Sequence, residues 1–161
     1  MKESEKIIEN FYSSFQKKDW KGMQSCYHDH VVFSDPVFNN LKGREAYAMW
    51  HMLTEAGKDL EINFHNIKSD GVTASCDWDA RYSFSKTGRK VHNLIHARFE
   101  FLENKIIKHT DSFNLWRWAG MALGTSGKIL GWTPMVQSKI RSGARKSLQK
   151  FIDEHPEYKT R

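Results

Sequence analysis

The 161-residue sequence has only two cysteines, Cys26 and Cys76. That excludes a disulfide framework and points to a reducing compartment. No apolar run approaches the length of a membrane span. The opening MKESEKIIEN is charged where a secretory leader needs an apolar core, so a cytoplasmic location is expected. No internal repeat or low-complexity linker interrupts the chain. What is present is 39% hydrophobic and 13% aromatic, enough for a buried core in one domain.

The net charge of +6 is unevenly spread. Residues 126–161 hold eight Lys/Arg against three Asp/Glu, whereas the first 125 residues are nearly balanced, at seventeen against sixteen. This divides the chain into an expected domain over 1–125 and a basic amphipathic helical extension over 126–161. In the extension, Thr133 can cap and Pro134 fits the first turn of a helix reaching about Ile152. Val136, Ile140, Ala144, Leu148, Phe151 and Ile152 form its apolar side, and Lys139, Arg141, Arg145, Lys146 and Lys150 ride elsewhere. Such a helix can touch nucleic acid or anionic membranes, but it lacks interleaved aromatics. A docked helix with its charges in water is the expectation.

Ile7, Ile8, Phe11, Tyr12 and Phe15 share a stripe at helical spacing. Asp19 is placed to cap a short second helix carrying Met23, Cys26 and Tyr27. A short extended segment over 31–38 follows, since Pro36 pushes Asp35 out of helical geometry. A third helix over 44–56 presents Ala46, Met49, Trp50 and Leu53, with Gly57 after it. The period then becomes two, giving strands near 60–67, 72–84, 90–102 and 105–115. Asp70-Gly71, Lys86-Thr87-Gly88-Arg89 and Glu103-Asn104 join them as turns, so the strands form an antiparallel meander. The layout is α+β, with helices packed on one face of a curved sheet.

KIIKHTDSF (105–113) carries the most chemistry. Alternation sends Ile107, His109, Asp111 and Phe113 to one face, whose apolar ends mark it as inner. An inward imidazole and carboxylate are costly unless paired or used. Ala74, Cys76, Trp78, Ala80, Tyr82 and Phe84 face inward from one neighbouring strand; Val91, Asn93, Ile95, Ala97, Phe99 and Phe101 do so from the next. Ala80 and Ala97 are small enough to leave a cavity between helices and sheet. Its lining would come from Phe11, Trp50, Trp78, Tyr82, Ala97 and Phe99. The alternative is that indole and phenyl rings fill that room.

FYSSFQKKDWKGMQSCYHDHVVFSDPVF, the Gly43-Arg44 that follows, the meander and NKIIKHTDSFNLWRWAGMALG together resemble the SnoaL-like branch of the nuclear transport factor 2-like superfamily over residues 5–124. The resemblance implies a cone of three helices wrapped by a curved sheet, a pocket at its open end and a homodimer through the outer sheet face. In ketosteroid isomerases of this superfamily a carboxylate base works with a tyrosine and a protonated acid. The base matches Asp35, but the two donors fall at Phe11 and about Ala97, which cannot donate. The epoxide hydrolases' late-strand aspartate matches Asp111, while their other two residues fall near Trp78 and Ala80. The cyclases resemble the chain most around Asp111 and Leu123-Gly124.

Two function classes follow. One is a cofactor-independent isomerase- or cyclase-type enzyme acting on a small apolar carbonyl compound, with Asp111, His109 and Asp35 moving a proton. The other is a non-catalytic ligand carrier or dimeric interaction module. No metal is expected: His109, Asp111 and the His28/His30 pair lack a clustered third ligand, and the family generally needs none. His51, His65, His92 and His96 are expected on solvated faces.

Overall fold

A computed structural model describes residues 1–159; the last two residues of the expected 126–161 extension lie outside the described residues. The order is α1 (Glu3–Gln16), α2 (Trp20–Ser25), β1 (Tyr27–Ser34), β2 (Leu41–Lys42), α3 (Arg44–Ala56), β3 (Glu61–Ser69), β4 (Thr73–Ser83), β5 (Lys90–Leu102), β6 (Lys105–Ser112), α4 (Leu115–Leu123), α5 (Thr125–Leu130) and α6 (Pro134–Glu154), then a 3₁₀ turn, Pro156–Tyr158. The fold is α+β, with α1–α3 packed on a six-stranded sheet of order β2-β1-β6-β5-β4-β3. Among the described residues only β1 and β6 pair in parallel; the other neighbours are antiparallel. Among the described residues, no helix is long and apolar enough to cross a membrane.

Local chemistry explains the joins. Asp19 Oδ1 accepts from Gly22 N at 3.0 Å, capping α2. Glu103 and Asn104 both take positive φ, the backbone a tight two-residue hairpin requires. Gly127 lets α5 lie backbone-to-backbone on α4, since a Cβ there would sit 2.0 Å from the Ala119 carbonyl oxygen.

The inner face of the meander is as alternation predicts. Trp78 opposes Ile95, Ala80 opposes Asn93 and Cys76 opposes Ala97, all buried. Three of the expected elements differ in extent or exposure, and β2, α4 and α5 are additional to them. Tyr27 opens β1 rather than ending α2. The last strand stops at Ser112, because Asn114 caps α4 by accepting from Arg117 N at 3.0 Å. On α3, His51 and Thr54 are buried while Leu53 is 37% exposed. That helix is covered twice, by the sheet on one side and by the C-terminal segment on the other, so its buried arc is wider than one stripe.

Leu148, Ile152 and Tyr158 belong to the main hydrophobic core. Ile140 packs on a second cluster with Val91, Leu115 and Trp118. Arg141 Nε donates to Pro36 O at 2.9 Å and Arg145 Nη2 to Asn39 O at 3.0 Å, so two cations of the basic helix are tied to the loop after β1. If docking is what holds α6, Leu148→Ala should lower unfolding stability by about 2–5 kcal/mol in denaturant titration. A change within about 0.5 kcal/mol would instead mark a solvated extension.

Candidate functional site

His109 and Asp111 do face inward from β6, and they lie at one end of a chain of buried hydrogen bonds. Trp50 Nε1 donates to Tyr27 Oη at 2.8 Å, and Tyr27 Oη lies 2.7 Å from His109 Nδ1. His109 Nε2 lies 2.9 Å from Asp111 Oδ1, which also accepts from Trp78 Nε1 at 3.3 Å. One proton arrangement gives every donor an acceptor: Tyr27 O–H to Nδ1, then Nε2–H to Asp111.

His109 is completely buried. Its ring is enclosed by Phe11, Tyr27, Phe33, Trp50 and Phe99 at centroid distances of 4.4–6.0 Å. The room that Ala80 and Ala97 were expected to leave is therefore filled around the imidazole. Phe11, Ala97, Phe99 and Trp50 are at most 2% exposed and form packed interior there, not an open lining. His109 itself touches no open space. Trp78, at 7% exposed, and half-buried Tyr82 lie nearer the surface.

Asp35 sits where this interior meets solvent. Phe33 pairs with His109 and Ser34 with Thr110 in the parallel β1–β6 register. One further step places Asp35 beside Asp111 on the inner side. Asp35 Oδ1 accepts from Val37 N at 2.7 Å and Phe38 N at 2.6 Å, as a carboxylate starting a turn does. Its other oxygen has no hydrogen-bond partner among the described residues. Burial pushes its pKa up to about 7 against the pull of the Phe38 amide, and the Asp111 charge adds to the rise. Near this rim stands Tyr82, whose hydroxyl accepts from Trp118 Nε1 at 2.8 Å and which lies close enough to feel the Asp35 charge; Asn93 faces inward from β5 opposite Ala80. The Asn93 side chain is 7% exposed and has no hydrogen-bond partner among the described residues.

Sequence reasoning missed Tyr27, Tyr12 and Asn93. Tyr27 was legible in the odd-numbered set Tyr27, Val31, Phe33, which Asp29 interrupts by facing water. Tyr12 is fully buried alongside Phe11, on the stripe the sequence shows, but no site role was expected of it. Its hydroxyl has no partner among the described residues, and burial, then the Asp111 charge, hold its pKa well above the usual phenol. Asn93 had no signal beyond its place on the inner face.

The alternatives contract. Asp79 and Arg81 stay outside, Asp79 against His92 at 2.9 Å, so Trp78 and Ala80 are the residues that occupy the inner positions where the hydrolases carry their other two. His28 turns to Glu103 at 3.4 Å. His65 and His96 are exposed and His92 half-buried, but His51, expected in water, is buried. Burial holds the Cys76 thiol up at about 12 and also raises Cys26, so neither is a ready nucleophile. Two surface hollows lie elsewhere. One, of about 470 Å³, is bounded by polar Ser13, Ser14, Lys17 and Asn104. The other, of about 360 Å³, lies over α4 beside Lys128.

A family model for the SnoaL-like domain matches residues 8–109. Among solved structures, a candidate polyketide cyclase from Xanthomonas campestris pv. campestris is 17% identical with a TM-score of 0.63, covering 74% of this chain and 96% of its own. An LEH-like epoxide hydrolase from M. tuberculosis is 17% identical with a TM-score of 0.61, covering 82% and 96%. A candidate polyketide cyclase from Pseudomonas putida is 15% identical with a TM-score of 0.63, covering 76% and 98%. At these identities the likeness is one of fold. No curated protein matches the sequence.

The Asp35 shift has a thermodynamic consequence. A carboxyl raised from 3.8 to about 7 binds more protons folded than unfolded between those values, so stability falls as pH rises through that window and levels off above it. Asp35→Asn keeps an oxygen for the Val37 and Phe38 amides but cannot ionise. From about pH 4 to pH 8, wild type should lose on the order of 1–3 kcal/mol relative to the variant in paired denaturation curves. Parallel curves would place Asp35 in ordinary solvent.

Proposed function

The chain belongs to the SnoaL-like domain family, and from that premise we propose that it binds a small, mostly apolar carbonyl compound at the rim of its cone and moves a proton beside the carbonyl, as an isomerase or cyclase does. The observation that carries this is Asp35: a half-buried carboxyl with a pKa of about 7, one oxygen held by two backbone amides and the other unengaged. A group with that pKa can both take and return a proton near neutral pH.

The remaining residues then have distinct roles. Asp111, held by His109 and Trp78, places a second carboxyl beside Asp35 and helps keep the proton there. His109 is a positioning residue acting through Asp111, because its ring is enclosed. Tyr82 and Asn93 supply hydrogen-bond donors for a carbonyl oxygen, in place of the donors absent at Phe11 and Ala97. Trp78 and Tyr82 contact the ligand, while Phe11, Trp50, Ala97 and Phe99 form the packed floor beneath it. No cofactor enters the chemistry. The outer sheet face, where Leu94 is 55% exposed between the His92–Asp79 and His96–Asp77 pairs, is the surface for a homodimer in the cytoplasm.

A second class, the non-catalytic carrier, draws support from one specific observation: rings fill the interior where other members of the superfamily are expected to hold a deep pocket. Binding and turnover of a panel of hydrophobic carbonyl compounds separate the two. For the enzyme, Asp35→Asn should cut turnover by about 10²–10⁴-fold while binding changes little, and Asp111→Asn should move the acid limb of the pH–rate profile. Binding without turnover in wild type selects the carrier. Turnover equal in wild type and Asp35→Asn removes the proposed chemistry.

A further inference from the structure

Away from the rim, His51, Glu55 and His155 converge on the far side of α3. We propose that these three residues bind a divalent transition-metal ion, Zn²⁺ by the chemistry of the donor set, which fastens the C-terminal end of α6 to α3. One ligand atom from each lies within 4.8 Å of the other two. His51 and Glu55 are four residues apart on α3, so they share a helical face. His155 arrives from the residue that ends α6. Two imidazoles and a carboxylate with a fourth position open to water form a familiar tetrahedral zinc set.

The second observation is what holds the rings. His155 Nδ1 lies 2.7 Å from the Phe151 carbonyl, which can only accept; Nδ1 therefore carries the hydrogen and Nε2 keeps its lone pair. His51 Nδ1 lies 2.7 Å from Tyr158 Oη, and that oxygen accepts from Gln24 Nε2 at 3.0 Å. Each imidazole thus has its other nitrogen engaged, as metal-bound histidines do. Stacking fixes both planes: Trp20 on His51 at 3.7 Å and Phe151 on His155 at 3.8 Å. Without metal, His51 Nε2 faces Glu55 Oε1 at 2.7 Å, a hydrogen bond that a neutral imidazole makes with its hydrogen on Nε2. On binding, that hydrogen moves to Nδ1 and is donated to Tyr158 Oη, which frees the Nε2 lone pair for the ion. The Glu55 side chain is 54% exposed and can swing to open a ligand angle, while the His51 side chain, at 5%, supplies the rigid wall.

The ion would bridge segments about a hundred residues apart in sequence, where Tyr158 and Ile152 already join the core. The test uses the full chain, free of any affinity tag and stripped with chelator, titrated with Zn²⁺ alone by calorimetry and with Co²⁺ by visible absorption. One Zn²⁺ per chain, a Co²⁺ band of tetrahedral intensity and a zinc-dependent rise in Tm are expected. Glu55→Gln, at an exposed position that leaves packing intact, and His155→Ala should each weaken binding at least about tenfold and abolish the Tm rise. Failure to bind one equivalent saturably, or binding unchanged in both variants, would overturn the site and leave His51 and His155 as members of an aromatic cluster.

Discussion

The hydrogen-bonded run from Trp50 through Tyr27 and His109 to Asp111 and Trp78 is the constraint on which the interior depends. Four elements meet in it: α3, β1, β6 and β4. Each polar atom in the run is costly to bury alone and inexpensive once paired, so the network tolerates one relative placement of helix and sheet and penalises others. The rings around His109 then pack to a shape set by that placement. Tyr12 marks the limit of this pairing, since its hydroxyl is buried without a partner among the described residues.

Packing also explains why a recognisable cone need not contain a deep hollow. Small residues on the sheet leave room only if the facing helices do not fill it. Here α1 directs Phe11, Tyr12 and Phe15 inward and α3 adds Trp50, their rings pack edge-to-face on one another, and Ala97 and Ala80 are left buried. What stays half-exposed is the rim, where Asp35 follows the end of β1 and the loop it opens is gripped by Arg141 and Arg145 from α6. The basic helix thus belongs to the architecture of that opening: two of its cations hold backbone carbonyls of the loop bearing Asp35, while its other side anchors in the core.

How much of this could be read from sequence follows from which forces are local. Strand alternation, the Asp19 cap, the Glu103-Asn104 hairpin and the Thr133-Pro134 helix start depend on neighbours in the chain, and each appears where its residues call for it. The inward pair His109 and Asp111 was legible for the same reason. Tyr27 and His51 were misread because their burial is set by elements distant in sequence: β6 pulls Tyr27 into a strand, and the C-terminal segment covers His51. α4 and α5 escaped notice because an amphipathic strand pattern running toward Phe113 hides the Asn114 cap. Whether Ala80 and Ala97 left a void could not be settled by alternation, since void volume is a property of three elements at once.

Asp35 and Asp111 show how one fold can give two neighbouring carboxyls different work. Asp111 has an oxygen committed to an imidazole and an indole, so its position is determined by groups that cannot move without breaking the core. Asp35 is held by one oxygen to backbone amides two and three residues on, a local attachment that survives changes in the interior. Burial, with Asp111 close by, keeps a proton on it into the neutral range. In the proposed chemistry the rigid carboxyl therefore sets the field, and the locally tethered one, with an oxygen unengaged among the described residues, is the one that exchanges a proton with the ligand.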